Sequence, residues 1–489
     1  MPKMFGTDGV RGLANRDLTA RLALDLGDAA VRVLGDAGTQ DDQPEGRRRA
    51  LVGRDTRVSG DFLASALSAG MAAGGFDVID AGIIPTPGVA YLTSVLNVEM
   101  GAVISASHNP MPDNGIKFFD AQGFKLPDAV EDEIEAFIVN GGLEGEVAAA
   151  EEAAWSAAQA AAPDAPADAT SYLASEIKMP AGAEVGVVIP LENACDIYID
   201  HAARSIEEQG ISFKGLRIAL DTGHGASSLT SPEALRRLGA EVSVINDDFD
   251  GMDINVRCGS THLEPLRALM AETGADVGIA HDGDADRVMF VDELGNEIDG
   301  DVVEAVCAID LKERGELPGN TVVSTVMCNL GFVKAMEAAG IEVIQTQVGD
   351  RYVLQQLREG GFVLGGEQSG HMIFLKHNST GDGLITACQF LSACLRKGAA
   401  VSEVASVMQR FPQELINVCV TDKHAVTNNE VVAKAIEEGA DELGSSGRIL
   451  VRPSGTEPLV RVMVEAPTHD QAHEVAAKIA DVIEAELGA

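Results

Sequence analysis

The chain has 489 residues, 46% of them hydrophobic and 23% charged, and its 76 acidic residues outweigh 36 Lys and Arg for a formal net charge of −40. A field of that sign repels nucleic acid and anionic membrane surfaces, and no apolar run approaches the ~18 residues a membrane helix needs. The same field repels a phosphorylated small molecule, so a site for one has to carry its own cations.

A chain this long exceeds what one core usually serves, and about three or four domains are expected. The seven cysteines, Cys195, Cys258, Cys307, Cys328, Cys388, Cys394 and Cys419, form no CxxC pair. They read as reduced thiols, and a start of MPKMFGTDGVRG reads as lacking a secretory signal, so a cytoplasmic location is expected.

In chain order, FGTDGVRG leads into a helical pattern from Leu18 to Leu34, with Asp17 or Thr19 as its cap. A polar insert near 36–49 reads as a surface loop. ALVGRDTR and FDVIDAGI read as strands around a helix from Asp61 to Gly74, PTPGVAYL starts another helix, and GAVISAS is a strand. DNGIKFFDAQGFKL reads as a hairpin of short strands. Residues 140–185 are rich in Ala, acidic residues and Pro, and read as an exposed insertion without chemistry. Strand and helix alternate again through EVSVIN, GADVGIAHDGDADRVMFVD, TVVSTVM and IEVIQTQVGDRYV. Gly75, Gly239 and Gly340 each close a helix and open a strand, which suggests three copies of an α/β unit. Beyond Phe411-Pro412, strands ELINVCV, RILVRP and LVRVMVEA and a helix capped by Thr468 with Gln471 read as a small α+β domain.

Four stretches carry chemistry. VISASHNP places serines on a loop at a strand end, where a hydroxyl suits a covalent phosphate or acyl carrier, although a polar strand-to-helix turn would look the same. DGDADR offers Asp282, Asp284 and Asp286; on an extended backbone their alternation puts three hard oxygens on one side, suited to Mg²⁺ or Ca²⁺. An EF-hand is excluded, because Arg287 stands where that loop needs Gly and the flanks read as strands. In GEQSGH, Glu367 and Ser369 suit sugar hydroxyls, and His371 reads either as an acid/base group or as a structural histidine. RPSGTEP offers Arg452, Ser454, Gly455 and Thr456, with Arg461 following, as an anion nest or an ordinary hairpin turn.

Taken together and in this order, FGTDGVRG, SASHNP with DNGIKFF, DGDADR, GEQSGH and RPSGTEP resemble the α-D-phosphohexomutase superfamily, and within it the bacterial branch that works on glucosamine phosphates. The resemblance implies three similar α/β mixed-sheet domains around a central cleft, with boundaries near 1–190, 191–298 and 299–411, and a smaller C-terminal α+β domain over 412–489. It implies an isomerase that interconverts glucosamine 6-phosphate and glucosamine 1-phosphate through a phosphoserine and a 1,6-bisphosphate, for UDP-N-acetylglucosamine and the cell wall. Ser107 would carry the phosphate, with His108, Lys117, Arg11 and His371 as catalytic company. Asp282, Asp284 and Asp286 would hold one Mg²⁺ together with the oxygen of Ser107. Arg287, Glu367, Ser369, Arg452, Ser454, Gly455, Thr456 and Arg461 would bind substrate. His281 and Ala285 depart from the family's usual phenylalanine and glycine and leave the three ligands intact. A homodimer, and a kinase or autophosphorylation as source of the first phosphate, stay open. So do three rival readings: a phosphomannomutase or phosphoglucomutase, a Mg²⁺-dependent sugar phosphatase, and a silent sugar-phosphate sensor.

Overall fold

A computed structural model describes residues 3–6, 8–36, 47–142, 145, 180–454 and 457–489 of the chain. Most of the two inserts expected at 36–49 and 140–185 therefore lies outside the described residues. The first helix, Ala20–Asp36, starts where the Thr19 hydroxyl accepts the Leu22 N–H at 3.2 Å. Asp17 instead caps the end of the preceding strand by accepting the Leu13 N–H.

One pattern of strands occurs three times. In the first sheet the order is β1 (Val10–Leu13), β5 (Asp113–Asp120), β4 (Met100–Ile104), β2 (Arg49–Arg54), β3 (Asp77–Ile83) and β6 (Val188–Pro190). The second runs β11 (Glu297–Ile298), β10 (Val288–Asp292), β9 (Val277–His281), β7 (Arg217–Asp221) and β8 (Glu241–Ile245). The third runs β13 (Glu342–Thr346), β12 (Thr321–Thr325), β14 (Leu364–Gly366) and β15 (Met372–Phe374). In each, the first strand of the unit (β2, β7 or β12) pairs parallel with the next two, each reached through a helix. A fourth strand then turns back antiparallel on the third. The three junction glycines sit at φ 93° (Gly75), 104° (Gly239) and 66° (Gly340), where a side chain would strain the helix-to-strand turn. That requirement makes the repeat visible in the sequence.

The stretch 113–126 is not a hairpin of short strands. It is one eight-residue strand, β5, paired on both sides by β4 and β1, and closed only by a single bridge from Phe119 to Lys125. VRGL, unassigned from the sequence, supplies β1.

One apolar core joins the three units. It runs from Leu51 and Phe119 through Phe213, Phe290 and Phe332 to the helix Gly383–Lys397, which is buried on every face from Gly383 to Cys394. The C-terminal part has its own core on an antiparallel sheet ordered β16 (Gln413–Cys419), β18 (Leu459–Glu465), β17 (Arg448–Pro453). Two helices cover it, and Thr468 caps the second by accepting the Gln471 N–H at 3.3 Å. The architecture is three similar α/β units and a smaller C-terminal α+β domain.

The helix Gly300–Glu313 buries Glu304, where burial and the neighbouring Asp301 push the carboxyl well above its usual 4.5. A raised pKa means this group favours the folded state fully below its unfolded pKa and loses that contribution as pH rises. Glu304→Gln removes the slope. Its melting temperature relative to the parent should therefore rise by roughly 2 °C or more between pH 5 and pH 8; an equal difference at both pH values would show that Glu304 carries no such linkage.

Candidate active site

Ser107 lies in the loop between β4 and β5, buried to 1% exposure and held at φ 52°, a conformation a serine adopts only when its surroundings impose it. Those surroundings are specific. The Ser107 N–H donates to the Ser105 hydroxyl at 2.9 Å. Its carbonyl accepts from Arg57 at 3.1 Å and from Asn255 at 2.8 Å, and both donors also reach the Asn109 carbonyl. Arg57 is itself locked on buried Asp55. The hydroxyl of Ser107 is thereby aimed at Asp282, to which it donates at 2.7 Å, with His108 Nδ1 3.3 Å away.

Asp282, Asp284 and Asp286 follow β9, and one oxygen from each lies within 4.8 Å of the others. They converge on a turn, not on the extended backbone expected from their alternation: Ala285 sits at φ 54° and its N–H returns to the Asp282 carbonyl. Ala285 therefore occupies a left-handed position that glycine would fill without strain. Gly283 is needed for another reason. A Cβ there would come within 2.9 Å of the Ser107 carbonyl and 2.7 Å of Ile254 Cδ1, so its absence lets this loop close on Ser107. His281 braces the turn, its Nδ1–H donating to the Arg287 carbonyl while Nε2 accepts from Ser231, and burial pushes it down to about 4, leaving it neutral.

Three buried carboxylates repel one another. Burial, Asp286 and Asp284 push the Asp282 carboxyl well above the usual range. Burial works the same way on Asp284, but Lys117 and the Thr86 hydroxyl at 2.6 Å bring it down to about 2. One oxygen each of Asp284 and Asp286 is buried without a hydrogen-bond partner among the described residues. Hard oxygens, mutual repulsion and unpartnered lone pairs together fit a divalent cation.

Lys117, 2% exposed, is 3.1 Å from Asp8, 3.5 Å from Asp284 and 3.6 Å from Asp286. Asp8 also pairs with Arg11 and, at 2.7 Å, with Lys125. Lys125 pairs onward with Asp350, which stands 3.7 Å from His371 Nε2, and that atom is 4.0 Å from Asp286. The result is a closed ring of polar neighbours drawn from all three α/β units, with the His371 imidazole between Asp350 and Asp286. Neither ring nitrogen of buried His371 has a hydrogen-bond partner among the described residues. Arg287 reaches Asp286 at 3.8 Å. Glu367 is half-buried, accepting the Gly349 N–H at 3.2 Å, and Ser369 is exposed.

The C-terminal turn belongs to a separate antiparallel sheet. Arg452 and Arg461 are cross-strand partners on β17 and β18, and burial together with Arg461 lowers the pKa of Arg452. Ser454 is buried, its carbonyl accepting from Lys423 at 2.6 Å, while Arg461 pairs with Glu457 at 3.2 Å. Gly455 and Thr456 lie outside the described residues. The other end of β18 is anchored: Glu465 accepts from Asn329, Leu330 and Arg448. Seven extended residues separate the ends, so the turn projects about 20 Å from that anchor. A cavity of about 570 Å³ opens beside Asp8, Lys117, Lys125 and Arg351, and no described residue of the Arg452 turn lines it.

Sequence reasoning did not single out Asp8, Lys125, Asp350, Thr86, Arg57 or Asn255. Asp8 stood inside a quoted motif, but nothing in the chain ties Lys125 to Asp350, 225 positions away.

The chain matches all four domain descriptions of the phosphoglucomutase/phosphomannomutase family: alpha/beta/alpha domain I over residues 2–143, domain II over 196–295, domain III over 299–411 and the C-terminal domain over 415–482. It is 55% identical over 494 aligned residues, 100% of both chains, to a phosphoglucosamine mutase of Bifidobacterium longum subsp. infantis. Among solved structures it resembles a phosphoglucomutase/phosphomannomutase family protein of Burkholderia thailandensis, with TM-score 0.76, 24% identity and 99% and 97% of the two chains covered. The N-acetylphosphoglucosamine mutase of Aspergillus fumigatus, solved with GlcNAc-6P and magnesium, shares the fold at TM-score 0.64 and 16% identity, with 98% and 95% covered.

Lys117 is the buried cation between Asp8, Asp284 and Asp286 and the one ion-pair partner of Asp284 among the described residues, so its removal leaves that carboxylate's charge uncompensated. Lys117→Met should lose about 3–5 kcal/mol in urea unfolding without divalent cations. A loss below about 1 kcal/mol would mean that the acidic loop does not depend on it.

Proposed function

Because the chain belongs to the phosphoglucomutase/phosphomannomutase family, we propose that it interconverts glucosamine 6-phosphate and glucosamine 1-phosphate, with Ser107 as the phosphoryl carrier and glucosamine 1,6-bisphosphate as the intermediate. It is an isomerase. The observation that carries the reading is the Ser107 hydroxyl 2.7 Å from Asp282, within the acidic triplet. The amino-sugar specificity rests on the full-length similarity to phosphoglucosamine mutases.

Asp282, Asp284 and Asp286 would hold one Mg²⁺, which supplies charge neutralisation at the phosphoryl group. The rest falls to the chain's own residues. A sugar hydroxyl attacks the phosphorus of phosphorylated Ser107; the P–Oγ bond breaks and the bisphosphate forms. After the sugar turns, Ser107 Oγ attacks the other phosphate, and the monophosphate isomer leaves. Such transfers need alignment and charge compensation above all. Lys117, Arg11 and Arg287 supply local positive charge against the net −40 of the chain. His108 lies beside the hydroxyl, and His371 presents its two unpartnered ring nitrogens for the sugar's proton. Glu367 and Ser369 take sugar hydroxyls in both poses. Arg452, Ser454 and Arg461, with Gly455 and Thr456, hold the phosphate that is not reacting. A second phosphate site of this kind favours a mutase over a hydrolase that needs only one. We place the enzyme in the cytoplasm, where a phosphorylated sugar is confined and the seven free cysteines stay reduced. Its first phosphate would come from a kinase or from autophosphorylation, and a homodimer is compatible with this scheme.

Ser107→Ala should abolish turnover in a coupled assay while calorimetry still detects sugar-phosphate binding; near-normal turnover would overturn the assignment. With Mg²⁺ present, glucosamine 6-phosphate should be turned over at least 10-fold more efficiently than glucose or mannose 6-phosphate, and intact mass should report a phosphoryl group on the parent alone. Comparable rates on all three sugars would remove the amino-sugar specificity and leave a general phosphohexomutase.

A further inference from the structure

The loop Glu367–His371 and the C-terminal sheet are joined through buried hydrogen bonds that the reaction itself does not use. Gln368 sits between Glu367 and Ser369. Its carbonyl accepts the Gly300 N–H at 3.0 Å, and its side-chain amide donates to Asp301 Oδ2 at 3.0 Å. The same Asp301 oxygen accepts the Asn329 N–H at 2.7 Å. Asn329 then directs most of its side chain toward the C-terminal domain, apart from the cap it gives its own helix. Nδ2 donates to the Phe411 carbonyl and to Glu465 Oε1, both at 3.0 Å, and Oδ1 accepts the Phe411 and Gly331 N–H groups, both at 2.9 Å. Phe411 is the last residue of the domain III match, and Glu465 ends β18.

Asp301, Asn329 and Glu465 are all fully buried. In that environment a hydrogen bond is strong and its loss is expensive, so the chain behaves as a stiff link. Only three bonds separate Gln368 from Glu465: Gln368 to Asp301, Asp301 to Asn329, and Asn329 to Glu465. Because one carboxylate oxygen serves both Gln368 and Asn329, a shift of the second donor displaces the first.

We propose that Asp301 is a positioning residue that couples the seating of the C-terminal domain to the orientation of the sugar-binding loop. The inference rests on the reading that Glu367 and Ser369 hold the sugar while Arg452 and Arg461 hold its remote phosphate. Capture of the phosphate by the C-terminal turn sets the position of β18, and the link through Asn329 and Asp301 fixes the loop that grips the ring. Asp301 touches no substrate.

The test compares the full chain with Asp301→Ala, Asp301→Asn, Gln368→Leu and the Asp301→Ala/Gln368→Leu double variant. Steady-state kinetics on glucosamine 6-phosphate with Mg²⁺ are read beside thermal melts. Asn can present one amide oxygen to both donors, so Asp301→Asn should stay within about twofold of the parent. Asp301→Ala and Gln368→Leu should each raise KM at least fivefold with kcat changed less than threefold. The double variant should be no worse than Asp301→Ala, because both substitutions cut one link. KM within twofold of the parent in Gln368→Leu, failure of Asp301→Asn to rescue, or multiplying effects in the double variant would each overturn the proposal. If Asp301→Ala does not fold, Gln368→Leu and Asp301→Asn decide it alone. A parent inactive on the glucosamine phosphate would refute the substrate reading instead, and the same variants are then compared on mannose 6-phosphate, where the coupling stands or falls by the same ratios.

Discussion

The structure depends on how it tolerates so much negative charge around one hydroxyl. Asp282, Asp284, Asp286 and Asp8 crowd the space next to Ser107 in a chain that already carries −40. Four carboxylates in a poorly solvated pocket would not stay ionised unaided. Lys117 is the shared counter-charge, Lys125 and Arg11 neutralise Asp8 from its other side, and the unpartnered oxygens of Asp284 and Asp286 leave room for one more positive charge. A phosphoryl group, itself an anion, can then be held there. The Lys125–Asp350 pair extends the same balance to the third unit, where Asp350 lies beside His371.

The three α/β units contribute equivalent pieces. Ser107 lies in the connection between β4 and β5, the acidic triplet between β9 and β10, and Glu367 to His371 between β14 and β15. Each is the turn from the third strand of a unit to the antiparallel fourth. One topological position is thus used three times, for Ser107, for the acidic triplet and for the loop of Glu367 and Ser369. Open α/β sheets bind ligands beyond the carboxyl ends of their strands, and three such ends facing one another make a cleft without any loop having to be long.

Local chemistry was legible in the sequence because each turn is a single stretch of the chain. SASHNP, DGDADR and GEQSGH are contiguous, so the groups each turn offers can be read together even though Ser107 and Asp284 meet their main partners far along the chain. The three-unit repeat was legible through Gly75, Gly239 and Gly340, whose backbone requirement shows in the residue itself. What could not be read was pairing between distant positions. Lys125 reads as a turn residue until Asp350 is placed against it, and Asn329 as an ordinary helix cap until Phe411 and Glu465 converge on its side chain. The acidic triplet was found by assuming an extended backbone, whereas a turn through Ala285 brings its members together. Composition fixes which groups are available, and tertiary folding decides their direction.

The strand β18 has a mechanical meaning. It is the central strand of its sheet, paired with β16 and β17 along its length, so the sheet moves with it. It is clamped at Glu465, with Arg461 four residues along and the Arg452 turn at the far end. That makes it a lever: a rotation of about 10° at the fulcrum sweeps the tip through about 3 Å, since the arm is about 20 Å long. The amplification runs in reverse as well. A modest pull on the tip is felt at the fulcrum as torque with high mechanical advantage, at the point where Asn329 grips.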